Sequence, residues 1–291
     1  MSELPLLVID VQRGGPSTGL PTKTEQADLL QAMYGRNGES PVPIVAPQSP
    51  GDCFAAVLDA TRIALTYRTP VLLLSDGAIA NGSEPWLVPQ ATELPDLRVT
   101  FATEPNALDG SDEHWPYVRD TETLARQWAV PGTPGLQHRI GGLEKADGKG
   151  GISYDPDNHD RMVRLRQAKV DRITVPDLEV DDPTGDARVL VIGWGSSYGP
   201  IGAACRRVRA QGLKIAQAHL RHLNPFPANL GEVLKSYDRV VLPEMNLGQL
   251  ALLLRGRYLV DVKSYTKVAG LPFKAEELQH VLTEHLEGVT A

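Results

Sequence analysis

Apolar positions along the chain switch between a continuous pattern and a helical one, and the switches mark its elements. The run Leu4 to Val11, "LPLLVIDV", predicts a buried strand. Leu29, Leu30 and Met33 at helical spacing, with Gly35 as a stop, predict a helix over 23–34. "PIVAP" predicts a short strand. In "SPGDCFAAVLDATRIALTYR", Ser49 can cap, Pro50 suits a first turn, and Phe54, Val57, Leu58, Thr61 and Leu65 share a helix face. "TPVLLLSDG" predicts a buried strand ending where Asp76 would cap or turn the chain.

From about 85 to 160 the pattern weakens into segments crowded with Gly, Pro and charge, the mark of a functional loop, a contact surface or a linker. "RMVRLRQAKVDRI" predicts a helix, and the polar bridge "PDLEVDDPTGD" a boundary near residue 185. Beyond it the strands "RVLVIGW", "KIAQAHL", "DRVVLPE" and "YLVDV" alternate with helices starting near Pro200, Pro227, Asn246 and Ala275, which predicts a small doubly wound sheet. Leu247, Leu250, Leu253 and Leu254 would form the core face of the third of these helices, with Asn246 as its N-cap. The fold class is α/β, in three parts: 1–135, an irregular connection with a helix over 136–185, and 186–291.

Composition narrows the function. The chain is 42% hydrophobic and 22% charged, a soluble globular balance, and no apolar run approaches the roughly 18 residues of a membrane span. The start lacks a basic segment and a cleavage site, so a cytoplasmic location is expected. A net charge of −7 without a dense Lys/Arg block argues against nucleic acid as a partner. Cys53 and Cys205 cannot build a four-cysteine cluster or a closed zinc site, so any electron carrier lies on another chain.

The chemistry concentrates in "DVQRGGPSTGLPT", Asp10 to Thr22, directly after the first strand. Open α/β sheets bind ligands at the carboxyl ends of their strands. Here Arg13 offers a fork of donors for a carboxylate or phosphate. Gly14 and Gly15 would allow positive φ and close approach, Ser17 and Thr18 add small hydroxyl donors, and Thr22 could cap the next helix or reach a ligand oxygen. The plain alternative is a tight turn with a solvated arginine.

"GWGSSYG", Gly193 to Gly199, has the spacing G-x-G-x-x-x-G with no acidic residue about 20 positions on, so a tight strand–helix turn is expected rather than a dinucleotide site. His219 and His222 in "HLRH" would face opposite sides of a strand and read as a satisfied or surface pair rather than metal ligands.

"VIDVQRGGPSTGLPTKTEQADL" resembles the signature of the α subunit of 2-oxoacid:ferredoxin oxidoreductases. "VIGWGSSYGPI", "HLRHLNPFPANL" and "PEMNLGQLALLLRGRYLVDV" are similar, in order, to that family's following domain. The resemblance implies a partial thiamine-diphosphate-binding, pyrimidine-type domain followed by a domain like the C-terminal one of transketolase. It implies that Arg13 and Thr22, with Gly15, Ser17 and Thr18 beside them, hold the 2-oxoacid, and that 2-oxoglutarate is the substrate before pyruvate. It implies thiamine diphosphate with Mg²⁺ shared with a β subunit, an iron–sulfur cluster on a partner chain, and coenzyme A and ferredoxin as partners. No Tyr-Pro-Ile-Thr-Pro segment and no counterpart of the activating glutamate precede the loop, so the chain is expected to be the C-terminal part of an α subunit, inactive alone. Two rivals stand beside this reading: a docking subunit without turnover, and an unrelated phosphate-binding α/β protein.

Overall fold

The computed structural model describes residues 2–290. In chain order the elements are β1 (Leu6–Gln12), α1 (Leu29–Tyr34), β2 (Ile44–Val45), α2 (Asp52–Tyr67), β3 (Pro70–Asp76), α3 (Gly77–Asn81), β4 (Phe101–Ala102), β5 (Trp128–Ala129), α4 (Pro156–Asp171), β6 (Val180–Asp181), β7 (Val189–Trp194), α5 (Tyr198–Ala210), β8 (Ala216–Leu220), β9 (His222–Asn224), α6 (Leu230–Lys235), β10 (Arg239–Glu244), α7 (Gln249–Tyr258), β11 (Val262–Thr266) and α8 (Ala275–Thr290).

Two sheets carry the fold. The first runs β1-β3-β2-β9, the second β11-β10-β7-β8-β6. Strands β1, β3 and β2 are parallel, as are β11, β10, β7 and β8, while β9 and β6 close their sheets antiparallel. The chain crosses between sheets in one step: β8 ends the second at Leu220, and two residues later β9 joins the first beside β2.

The apolar clusters fall into layers. Ala56, Ala60, Ile63, Ala64 and Tyr67 of α2 pack with Val170 of α4 on Val45, Val71 and Leu73 of the first sheet. Its other face shares one core with the second sheet, built from Leu29 of α1, Leu230 and Leu234 of α6, and Leu250 and Leu254 of α7. Ile201, Cys205 and Val208 of α5 and Leu278 and Leu282 of α8 cover the far side. Helices on both faces of a mostly parallel sheet are the doubly wound arrangement expected.

Four expectations need correcting. Strand β1 is not buried: it is the edge of its sheet, with Leu6 56% and Ile9 54% exposed and Val8 and Val11 also open to solvent. On α2 the buried face is the alanine-lined one, while Phe54 is exposed and Val57, Leu58, Thr61 and Leu65 are half-buried. Small residues let this helix lie close to the sheet, and that advantage outweighed the larger side chains. "YLVDV" splits, since Tyr258 ends α7 and the strand begins at Val262. Leu247 lies in the turn before α7 and is exposed rather than in the core.

Candidate functional site

The loop after β1 forms a closed lobe at the carboxyl end of the first sheet. The Gly14 N–H donates to Lys23 O at 2.9 Å, the Leu20 N–H to Gly14 O at 2.8 Å, and the Lys23 N–H to Leu20 O at 3.1 Å. Buried Gln12 anchors its base: Nε2 donates to Ser75 O at 3.0 Å, and Oε1 accepts the Asp28 N–H at 3.1 Å. Arg13, Gly15, Ser17, Thr18 and Thr22 all lie exposed on this lobe. The only hydrogen bond of the Arg13 guanidinium among the described residues is a long one, 3.4 Å from Nη2 to Ser17 O.

The glycines act differently from expectation. Neither Gly14 nor Gly15 adopts positive φ; the left-handed positions are Ser17 (55°), Gly19 (48°) and Thr22 (63°). A Cβ at Gly19 would stand 1.9 Å from Gly14 O, so a side chain there collides with the backbone that closes the lobe. At Gly15 a Cβ would meet nothing within 4 Å, which leaves that backbone open to approach. Gly19→Ala is expected to lower stability by about 2 kcal/mol, the usual cost of forcing a side chain into a left-handed position plus a clash. It should also speed tryptic cleavage after Arg13. An unchanged melting curve with an unchanged digest would refute this geometry.

Thr22 does not cap a helix, because α1 begins only at Leu29. The residues between are drawn out of helical conformation by the second sheet. The Gln26 N–H donates to Met245 O at 2.9 Å, Gln26 Nε2 to Trp194 O at 2.8 Å, and Gln26 Oε1 accepts the Met245 N–H at 3.1 Å. Asn246 Nδ2 donates to Gln26 O at 2.8 Å and Gln249 Nε2 to Ala27 O at 2.6 Å. Thr24 Oγ1 donates to Asp76 Oδ1 at 3.0 Å. The lobe therefore stands on a polar clamp between the carboxyl ends of both sheets.

Asp76 is the cap the sequence suggested, accepting the Ala78 and Ile79 N–H groups. Its other oxygen accepts the Ser196 N–H at 3.2 Å. That contact ties down the Gly193–Gly199 turn between β7 and α5, where a Cβ at Gly195 would meet Gln26 Nε2 at 2.7 Å. Asn246 caps α7 from ahead of it, its Oδ1 accepting the Gly248 and Gln249 N–H groups. His222 pairs through Nε2 with Asp59 Oδ2 at 2.6 Å, and His219 packs edge-on to Tyr198, where burial pushes its pKa down to about 3. Burial pushes the Cys205 thiol up to about 12, an inert core residue, while Cys53 is half-buried. Among the described residues no group of three or more His, Cys, Asp or Glu is placed to hold a metal ion, and no helix is long and apolar enough to cross a membrane.

Sequence reasoning missed Gln26, which reads as one polar residue of a helix, and Glu244, which ends β10 fully buried. Glu244 Oε1 accepts the Leu250 N–H at 2.8 Å and Oε2 the Ala251 N–H at 3.1 Å, holding the start of α7. A lone acid closing an apolar strand just before a helix was the available signal.

Comparison with known proteins bears on this lobe and on the sheets behind it. Residues 1–153 match the thiamine-diphosphate-binding domain of the pyruvate flavodoxin/ferredoxin oxidoreductases, and residues 187–278 match core domain II of pyruvate:ferredoxin oxidoreductase. The 2-oxoglutarate oxidoreductase subunit KorA of Mycobacterium tuberculosis is 69% identical over 99% of the chain, which spans only 43% of that relative's length. The 2-oxoglutarate synthase subunit KorA of Methanothermobacter marburgensis is 28% identical, over 96% of this chain and 73% of its own. Among solved structures, the 2-oxoglutarate:ferredoxin oxidoreductase of Magnetococcus marinus, with 2-oxoglutarate, coenzyme A and succinyl-CoA bound, superposes with a TM-score of 0.86 at 34% identity, over 98% of this chain and 49% of that one.

Proposed function

Because the chain belongs to the pyruvate flavodoxin/ferredoxin oxidoreductase family through its thiamine-diphosphate-binding domain, we propose that it is α-subunit material of a 2-oxoglutarate:ferredoxin oxidoreductase. The reaction is oxidative decarboxylation: the 2-oxoacid and coenzyme A give acyl-CoA and carbon dioxide, and the electrons pass to ferredoxin. The observation that carries this reading is the near full-length similarity of the chain to a 2-oxoglutarate oxidoreductase subunit. The exposed guanidinium of Arg13 supports it, standing at the carboxyl end of the first sheet with most of its donors free.

Within that reading Arg13 takes the substrate carboxylate and fixes the neighbouring keto carbon for attack. The open backbone at Gly15, the hydroxyls of Ser17 and Thr18, and Thr22 complete the cradle. Arg13 positions; it must not hold the carboxylate so tightly that carbon dioxide cannot leave. Thiamine diphosphate supplies the electron sink when bound. We assign its diphosphate and Mg²⁺, and the iron–sulfur cluster, to a β subunit that shares the site with this chain. Parallel strands are normally covered on both faces. The exposed apolar strand β1 therefore favours an assembly of several chains, in which that strand is buried; a cytoplasmic location remains part of this reading.

The test is reconstitution. The chain mixed with a cognate β subunit should reduce a viologen dye when given 2-oxoglutarate and coenzyme A, and do so more slowly with pyruvate. A stable complex without turnover would favour the second reading, a docking component, which the open edge of β1 also suits. Absence of any complex would remove both.

A further inference from the structure

At the opposite end of the first sheet from Arg13, where β1 and β3 begin, lies a cavity of about 220 Å³. Seven residues of strand put it on the order of 20 Å from the lobe. Six cationic side chains line it: Arg36, Arg68, Arg119, Lys145, Arg166 and Lys169. Only two carboxylates, Glu3 and Glu144, answer them.

The neutralisation stops short. Glu3 is used by Arg119 at 2.5 Å and by Lys169 at 2.6 Å, and it also accepts the Arg126 N–H at 3.4 Å. Glu144 is shared between His159 at 2.8 Å and Arg166 at 3.4 Å. Arg36 spends its donors on the Ala32, Met33 and Ser40 carbonyls. Lys145 is 2% exposed, and among the described residues its ammonium makes no direct hydrogen bond or ion pair, though Glu144 and Glu3 lie close enough to attract it. Arg119 Nη1 also donates to Leu124 O at 2.9 Å, and the Arg68 guanidinium donates to Thr100 O at 3.3 Å and lies 3.6 Å over the Trp128 ring, but Nε and Nη2 of Arg119 and Nη1 of Arg68 are buried without a hydrogen-bond partner. Arg126, itself buried with Nε unpartnered, stands behind the wall over the Tyr117 ring. Burial, only partly offset by Glu3, holds Lys169 down at about 8, and burial lowers Lys145 too.

A buried donor left without a partner on a cation is costly, and several such donors around one cavity are met most cheaply by an anion. Guanidinium forks and an ammonium lining one half-open cavity are the chemistry that recognises oxyanions. We propose that this cavity binds a small oxyanion of charge about −2, held by Lys145, Arg119 and Arg166. It is large enough for a phosphate group or a short dicarboxylate. Its place at the amino ends of the strands keeps it apart from the lobe, so the proposal does not rest on the function assigned above.

Calorimetric titration of the full chain with inorganic phosphate, and separately with succinate, against potassium chloride at equal ionic strength, tests this. Saturable binding of either anion but not of chloride supports the proposal, and the tighter of the two names the source. Lys145→Met should weaken that binding at least 10-fold. Should that variant fail to fold, Arg166→Gln at the half-open rim should weaken it about 3- to 10-fold while leaving the melting curve of the unliganded chain in place. Heats no larger than those of chloride, or an affinity unmoved by either substitution, would overturn it.

Discussion

Replacing Glu244 by alanine is expected to cost about 2–4 kcal/mol of stability. Its carboxylate is fully buried and accepts the Leu250 and Ala251 N–H groups, the side-chain amide of Asn246 at 3.1 Å and the indole N–H of Trp194 at 3.4 Å. Truncation orphans two backbone donors at the head of α7 in a place water does not reach, each at about 1–3 kcal/mol. Losing the buried charge returns part of that, which sets the lower bound. For a chain of this length the melting temperature should fall on the order of 5–10 °C. Glu244→Gln keeps the shape but points amide hydrogens at one of the two backbone donors, so it should fall between alanine and the parent. Burial pushes the Glu244 pKa up from 4.5 even against these donors. A carboxyl group whose folded pKa is raised contributes stability that is present below its unfolded value and lost as pH rises through the folded one. The parent should therefore lose stability from about pH 4.5 upward relative to Glu244→Gln, a difference visible in paired denaturant titrations across that range. A melting temperature unchanged in Glu244→Ala would mean that α7 does not depend on this carboxylate.

What could be read in the sequence follows what is local. β3, β7 and β10 are apolar runs with turn residues at their ends, and burial on both faces gives such runs one stable outcome. β1 has the same composition, yet its exposure depends on what lies beside it, and no pattern within the strand reports that. Residues 23–28 look helical because their spacing is helical; the competing hydrogen bonds come from Trp194, Met245, Asn246 and Gln249, more than 160 positions away. The lobe's exposure agreed with its polar composition, but its tight point is Gly19 rather than Gly14 or Gly15. That follows from the pairing of Gly14 with Leu20, which only closure of the loop creates. Lys145 was invisible: "GLEKADGKGG" reads as surface, and it is buried because isolated bridges such as Tyr117 to Gly148 and Lys145 to Ile152 fold an otherwise irregular segment over it.

In an oxidoreductase assembled from a full-length α subunit, Arg13→Ala is expected to raise the KM for 2-oxoglutarate by about 10- to 100-fold, the usual worth of a charge-assisted bidentate pair to a carboxylate. Because Arg13 is exposed and donates only one long bond within the chain, the variant should melt with the parent, which separates a binding loss from a folding one. Arg13→Lys should recover only part of the loss, since a point charge cannot engage both carboxylate oxygens at once. Thiamine diphosphate affinity, followed by fluorescence quenching of the complex, should stay put, because no group in the lobe is asked to hold the cofactor. The size of the kcat change then separates two roles for the guanidinium. If it only orients the acid end, kcat moves little at saturating substrate. If it keeps its grip through decarboxylation, it opposes the loss of carbon dioxide, and removing it should raise kcat even as KM climbs. A fall in cofactor affinity with unaltered 2-oxoglutarate kinetics would instead place Arg13 on the thiamine side and dissolve the substrate assignment for the whole lobe.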